Sequence, residues 1–170
     1  MMEAFDLRFP ELANRETRAI TLLQPSQGLP IGDYVFREMY CPDPGCDCRN
    51  VIFQVALIRK DQGRIVATIN HALEPGGVHE EMGSDPTVLE PFGQQSELAE
   101  EVLRVAKTSL LSDEAYTERL RRHYRIIKGR EAPSRPNSVA DSSGAIHRSL
   151  MEVFPEYGKV ALPPGSRPRE

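Results

Sequence analysis

Cys41, Cys46 and Cys48 lie within eight consecutive residues and are the only cysteines in the chain. Two prolines and a glycine between them predict a tight loop that turns the sulfur atoms toward one point. Thiolates favour a soft or borderline metal ion in tetrahedral geometry, with metal–sulfur distances of about 2.3 Å. An iron–sulfur cluster normally requires four cysteines. The sequence therefore predicts one bound Zn²⁺ ion.

Two other interpretations of the cysteines stay open. Free cysteine is often buried, so the three thiols can simply pack in the core. Cys46 and Cys48 can also form a redox pair, although they lack C-x-x-C spacing and no helix N-terminus follows them. In a reducing compartment, clustered thiols are more typical of metal ligands or catalytic groups than of disulfides. The density of the cluster favours metal binding.

The segments on both sides of this loop have the patterns of β-strands. Alternation over residues 33–40 predicts a half-buried strand that runs directly into Cys41. Residues 51–58 are rich in apolar and β-branched side chains, and a turn at 61–63 joins them to residues 65–70 as a hairpin. Further strands are predicted at 17–23 and 87–89. The sheet is expected to be mostly antiparallel.

Helical periodicity begins only in the second half of the chain. Ser96 is predicted to cap one helix, and Ser112 is predicted to cap a second helix that ends at Gly129. A proline-rich linker follows, and residues 143–154 predict a short third helix. Residues 74–95 contain little periodicity and are expected to form a loop around the short strand.

The fold class expected from these elements is α+β. A mostly antiparallel sheet carries a zinc-binding loop between two strands, and two or three packed helices follow it. Residues 1–130 are predicted to form the metal-binding domain, because the core-forming patterns lie there. Residues 131–170 are predicted to contain a linker, the short helix and a mobile tail.

The fourth metal ligand must come from a histidine, a carboxylate or a water molecule. His123 is the first candidate, because it shares the apolar face of a helix that must pack on the sheet. Its alternative role is that of a core histidine bonded to a carbonyl group. His71, at the end of a hairpin strand, is next, and the less favourable positions are those of His79, His147, Asp43 and Asp47. The predicted ligand set is Cys41, Cys46, Cys48 and His123.

A resemblance to known proteins rests on three segments: residues 32–51 with the cysteine loop, residues 67–70, and residues 116–124 with the His123-Tyr124 pair. Over about residues 15–128 the chain resembles an uncharacterised group of bacterial proteins, some of which carry a C-terminal SEC-C metal-binding motif. The resemblance implies a metal site at the cysteine loop, and its histidine–tyrosine motif points to His123. No cysteine follows Cys48, so the SEC-C module itself and its partner binding are not implied.

The composition indicates a globular protein without export or membrane signals. The net charge of −4 and pI near 5.6 disfavour nucleic acid as a partner, because phosphate binding requires a basic surface. Charged residues interrupt the first 15 positions, unlike a signal peptide. No stretch approaches the roughly 20 apolar residues that cross a bilayer. We therefore expect a cytoplasmic protein that binds no membrane.

Six basic side chains are concentrated in one stretch: Arg119, Arg121, Arg122, Arg125, Lys128 and Arg130. If they formed one surface, that surface could meet phosphates or an acidic partner. Such a run is more often the solvated face of a helix, and Glu114 and Glu118 partly neutralise this one.

Three functions are compatible with the cysteine cluster. The first is a non-enzymatic interaction module in which a structural Cys3His-type zinc site stabilises the fold. The second is a zinc-dependent hydrolase with an open coordination position, for which Glu38 or Asp47 would have to act as general base. The third is a thiol-based redox sensor. For the first, the expected partner is another protein or a second copy of the chain.

Overall fold

The computed structural model describes residues 2–60, 62–74 and 85–133. Within these ranges six strands form one antiparallel sheet: β1 (Glu3–Ala4), β2 (Arg18–Leu22), β3 (Gly32–Tyr40), β4 (Asn50–Arg59), β5 (Gln62–Ala72) and β6 (Thr87–Leu89). The α-helices of the described residues are α1 (Phe5–Arg8), α2 (Pro10–Glu16), α3 (Ala99–Val105) and α4 (Glu114–Ile127). The predicted α+β class is confirmed.

The centre of the sheet is the meander β3–β4–β5. β3 and β4 pair from Asp33 opposite Ile58 to Met39 opposite Ile52, so the cysteine loop connects adjacent ends of two neighbouring strands. β4 and β5 form the predicted hairpin. β6 pairs with β5, whereas β1 and β2 both pair with β3. The cysteine loop therefore lies at the end of the sheet where β4 begins and β5 ends.

The N-terminal elements β1, α1 and α2 were not predicted. α1 spans four residues and α2 seven, which is too short for a helical period to be visible. Phe5 and Leu12 are nevertheless buried in the core. Asp6 of α1 and Arg37 of β3 form a buried ion pair, with 2.8 Å between Oδ1 and Nε. These contacts fasten the N-terminal segment to β3 and to the core.

α3 is shorter than predicted. The Ser96 hydroxyl donates a hydrogen bond to the Val66 carbonyl oxygen at 2.8 Å, and the helix begins only at Ala99. A π-helical turn, Ala106–Leu110, extends it. The predicted short strand is confirmed as β6. The linker, the short helix at 143–154 and the tail lie outside the described residues.

α4 carries the predicted buried stripe, formed by Tyr116, Leu120, His123, Tyr124 and Ile127. The predicted cap is wrong by one residue, because Asp113 rather than Ser112 accepts the hydrogen bond from the Ala115 amide, at 2.9 Å. A carboxylate is favoured over a hydroxyl at the positive end of a helix. The Ser112 hydroxyl instead donates to the Thr108 carbonyl oxygen. Gly129, with φ of 69°, ends the helix as predicted.

The main hydrophobic core lies between one face of the sheet and the helices. Its largest members include Phe36, Phe53 and Leu120. A smaller cluster, Val35, Ala56 and Ile58, is buried separately. Among the described residues, no helix combines the length and hydrophobicity that a bilayer-spanning segment needs.

Candidate metal centre

The cysteine loop runs from the end of β3 to the start of β4, and Asp43 shapes it. Its Oδ1 atom accepts a hydrogen bond from the Gly45 amide at 2.9 Å, and its carbonyl oxygen accepts one from the Cys46 amide at 3.2 Å. These bonds close a tight turn. As a result, the Sγ atoms of Cys41, Cys46 and Cys48 all lie within 4.8 Å of one another. Three cysteines in this arrangement can hold one metal ion.

The three thiols interact with one another and form no disulfide. Cys41 is buried, whereas Cys46 and Cys48 are half-buried. A hydrogen bond from the Cys48 thiol, supported by the Cys48 amide, holds the pKa of the Cys46 thiol below its ordinary value. Burial, followed by the hydrogen bond to Cys46, raises the pKa of Cys48 to about 12. A cation among the sulfurs would replace these protons, since thiolates are the metal-binding form.

No protein-family model, curated protein or solved structure matches this chain. The resemblance of residues 32–51 to the bacterial group with SEC-C-bearing members stays a prediction. The convergence of three sulfur atoms is thus the strongest chemical signal in the described part of the molecule.

Lys128, the residue that follows α4, fastens the cysteine loop to the helix. Its Nζ atom donates hydrogen bonds to the carbonyl oxygens of Cys46, at 2.9 Å, and of Asp43. The side chain is buried and its ammonium group lies 5.4 Å from the centre of the Tyr124 ring. The sequence places Lys128 only within a basic stretch. No local pattern signals that one lysine of that stretch turns inward.

His123 lies apart from the three cysteines and bonds to two carboxylates. Its Nδ1 atom is 2.6 Å from Oε2 of Glu38, and its Nε2 atom is 2.8 Å from Oε2 of Glu16. The ring also stacks on Phe5, with 4.1 Å between centroids. The structure therefore brings together three of the four predicted ligands and places the fourth in a different polar cluster.

The charge of His123 follows from its two partners. An imidazole donates from both nitrogens only when it is protonated. Burial opposes this charge more than any other single influence, but Glu38 and Glu16 together outweigh burial and raise the pKa of His123. Burial likewise favours the neutral form of Glu16, but the hydrogen bond with His123 and the charges of His123 and Arg122 lower the Glu16 pKa. The geometry thus favours an imidazolium between two carboxylates.

Glu38 faces the core rather than the cysteine loop. Its Oε2 atom accepts a hydrogen bond from the Tyr40 hydroxyl at 2.8 Å in addition to its contact with His123. Burial raises the pKa of Tyr40 well above its ordinary value, so the hydroxyl keeps its proton and stays a donor. The sequence names Glu38 only as a candidate base. The sequence gives no signal that Glu38 and Glu16 contact the same histidine, because Glu16 is 22 residues away in the chain and lies on α2.

The other candidate ligands are also engaged elsewhere or lie outside the described residues. The His71 Nδ1 atom is 2.8 Å from the Thr87 hydroxyl oxygen, and burial lowers the pKa of this histidine to about 4. The Asp47 carboxylate accepts a hydrogen bond from Arg49 at 3.1 Å. His79 and His147 lie outside the described residues.

The stretch of six basic residues divides among four places rather than forming one surface. Arg122 donates to Glu16, and Arg119 lies over the Tyr116 ring at 4.7 Å. Lys128 contacts the cysteine loop. The remaining three line a cleft of about 140 Å³ beside that loop: Arg121, Arg125 and Arg130.

Proposed function

We propose that this chain is a zinc-binding protein in which Cys41, Cys46 and Cys48 hold one structural Zn²⁺ ion. The observation that carries the proposal is the convergence of the three Sγ atoms within 4.8 Å. Sulfur ligands of a tetrahedral zinc ion lie about 3.8 Å apart, given bonds of about 2.3 Å. Small side-chain adjustments are enough to reach that spacing. Zinc is favoured because it combines an affinity for thiolates with tetrahedral coordination.

The fourth coordination position is assigned to a water molecule or to a group outside the described residues. His123 could fill it only if one ring nitrogen released its proton and left its carboxylate partner for the metal ion. His123 as a ligand is therefore the less favoured proposal. His79 and His147 stay alternatives.

A structural role is favoured over hydrolysis. Three thiolates donate so much charge that their zinc ion is a weak Lewis acid. Neither candidate base supports catalysis at the loop, because Glu38 is buried against Tyr40 and Asp47 pairs with Arg49. We propose instead that the ion holds the ends of β3 and β4 together. The surface of the stabilised domain then serves as an interaction module.

Elemental analysis of the full, untagged chain purified without chelator tests the proposal. We expect one zinc ion per chain in the wild type and loss of the ion in Cys48→Ser, together with a lower unfolding temperature. Asp47→Asn is the matched control, because it changes the same loop without removing a sulfur atom. A folded wild-type protein that contains no metal would overturn the proposal.

The variant His123→Gln tests whether His123 or another group is the fourth zinc ligand. With the fourth ligand assigned as above, this variant should keep its zinc while losing stability through the contacts to Glu38 and Glu16. Loss of zinc from a folded His123→Gln protein would instead identify His123 as the fourth ligand.

Thiol-based sensing is the second candidate function, and the proximity of three free thiols, two of them only half-buried, favours it. A hydroperoxide would oxidise one thiolate to a sulfenic acid, which a second thiol converts to a disulfide with release of water. The metal would then leave. Zinc release by stoichiometric hydrogen peroxide, reversed by dithiothreitol and added zinc, is the result expected of a sensor. Retention of zinc under these conditions would exclude this function.

Location and assembly form the last part of the proposal. We place the protein in the cytoplasm, where thiols stay reduced. In intact cells, we expect the cysteines to react with thiol reagents that cross the membrane and not with reagents that cannot cross it. The proposed partner is either another protein or a second copy of this chain. Sedimentation of the zinc-loaded protein at two concentrations tests the second copy, since self-association raises the mass with concentration.

A further inference from the structure

A cleft beside the cysteine loop collects four arginine side chains. Arg121 and Arg125 lie one turn apart on α4, and Arg130 follows the helix. Arg49, between the cysteine loop and β4, lines the same cleft. Its volume is about 140 Å³. Three segments of the fold therefore bring four guanidinium groups to one concave site, although the chain as a whole is acidic.

The carboxylates around the cleft do not hold these arginines firmly. Glu74 and Asp47 accept from Arg49 at 2.8 and 3.1 Å, Glu131 accepts from Arg125 at 2.8 Å, and Glu118 accepts from Arg121 and Arg125 at 3.3 Å each. All of these are partly or largely solvent-exposed ion pairs, which contribute little to stability. Within the described residues, the side chain of Arg130 forms no hydrogen bond or ion pair.

Tyr124 supplies an independent indication of a ligand. Its side chain lines the cleft, and the residue is only 8% exposed. Its hydroxyl oxygen is buried and has no hydrogen-bond partner among the described residues. Buried hydroxyl groups are normally hydrogen-bonded, so this one is an unused donor beside the cleft.

We propose that this cleft binds a phosphate group, either as the free ion or as a small monoester. Guanidinium groups match the oxygen atoms of phosphate with paired, charge-assisted hydrogen bonds, and a tetrahedral dianion can accept from several directions at once. The space is sufficient, because cavities of about 150 Å³ admit a guest as large as benzene. The neutral donor is Tyr124. The site uses no cysteine, so its binding groups are distinct from those of the metal ion.

Glu74 provides a test in the opposite direction to the arginines, because it lines the same cleft and its carboxylate would repel a phosphate dianion. Glu74→Gln should therefore bind phosphate more tightly, whereas removal of an arginine should weaken binding. A site that merely adsorbs ions on an exposed surface would not depend on Tyr124. Arg64 is the matched control, because it forms an exposed pair with Glu97 near the opposite end of the β4–β5 hairpin.

The experiment is a calorimetric titration of the full chain with inorganic phosphate at constant ionic strength. Saturable binding is expected, weaker by about tenfold or more in Arg125→Gln and Arg130→Gln, because each removes hydrogen bonds to a charged ligand. Tyr124→Phe should weaken it severalfold, and Glu74→Gln should strengthen it severalfold. Arg64→Gln should bind like the wild type. The thermal unfolding of each variant confirms that it is folded.

Glycerol 3-phosphate distinguishes the two sources of the ligand. Affinity equal to or above that of inorganic phosphate identifies a monoester site, and a much lower affinity identifies a site for the free ion. Absence of saturable binding to both, equal weakening in Arg64→Gln, or no gain in Glu74→Gln would overturn the proposal.

Discussion

Glu38 and His123 form a buried contact, with 2.6 Å between Oε2 and Nδ1, that joins β3 to α4. Glu16 of α2 approaches the other ring nitrogen, so one imidazole connects three elements that are distant in the sequence. Both histidine and Glu38 are almost completely buried. Charges at such a site are stable only when each has its partners. The cluster is therefore a structural centre of the domain, separate from the cysteines.

The contribution of His123 to stability should decline as the pH rises. Its pKa is raised above the ordinary value of 6.5. A group with a raised pKa contributes stability that is complete below its unfolded pKa and is lost as the pH rises through its folded pKa. The difference in free energy of unfolding between wild type and His123→Gln should thus be constant below pH 6.5 and shrink above it.

Urea unfolding between about pH 4 and pH 9 measures this difference. His71→Gln is the control, because the pKa of His71 is lowered to about 4. Its contribution should have the opposite sign, falling as the pH decreases below 6.5 and staying constant above that value. A His123 difference that grows with pH would contradict a charged imidazole at this site. Glu16, with its lowered pKa, should lose its contribution only in acid.

Glu38→Gln should be strongly destabilising. Removing one charge leaves the His123 imidazolium with a single carboxylate in a buried site, and the loss of a buried partner costs about 3 kcal/mol or more. The free energy of unfolding from urea titration near pH 6 measures the effect. Glu97→Gln, which removes an exposed pair with Arg64, is the control and should leave this free energy unchanged. Equal effects of the two variants would show that the Glu38 contact is not energetically special.

The sequence predicted the elements with long, regular patterns, together with the short strands β2 and β6. β3, β4 and β5 alternate or run apolar over nine to eleven residues, and α4 carries four turns of one stripe. The short α1 and α2 offer no such repeat. Their helical state depends on burial of Phe5 and Leu12 against the sheet, which is a tertiary effect.

The same distinction between local and tertiary signals applies to the candidate site. The three cysteines are close in sequence, so one turn around Asp43 brings their sulfur atoms together. The identity of the fourth ligand depends on which residue, distant in the sequence, packs beside the cysteine loop. The apolar stripe of α4 indicated only that His123 is buried. It did not show that Glu16 and Glu38 would meet the two ring nitrogens. Long-range polar pairing leaves no periodic trace in a single sequence.

Gly93→Ala should destabilise the fold by about 1–3 kcal/mol, which is typical of overpacking. A Cβ atom at Gly93 would lie 2.3 Å from Cβ of Thr68, where the loop after β6 crosses β5. Gly45→Ala is the control, because its nearest neighbour, Oδ1 of Asp43, is at an ordinary distance of 3.4 Å. Thermal and urea unfolding should separate the two variants. Equal stabilities would mean that the loop does not pack as closely as observed.

Lys128→Met should weaken zinc binding by about 10- to 100-fold, as expected for a group that supports metal ligands. The Lys128 ammonium group donates to two carbonyl oxygens of the cysteine loop. Its positive charge also offsets the net negative charge of a complex between Zn²⁺ and three thiolates. Methionine keeps the aliphatic length and removes both effects. Competition with a chromophoric chelator at fixed pH measures the affinity. Lys107→Met, which breaks a surface pair with Asp85, is the control and should bind zinc like the wild type. Unchanged affinity in Lys128→Met would show that the loop holds its shape without the lysine, so that Asp43 alone positions the three sulfur atoms.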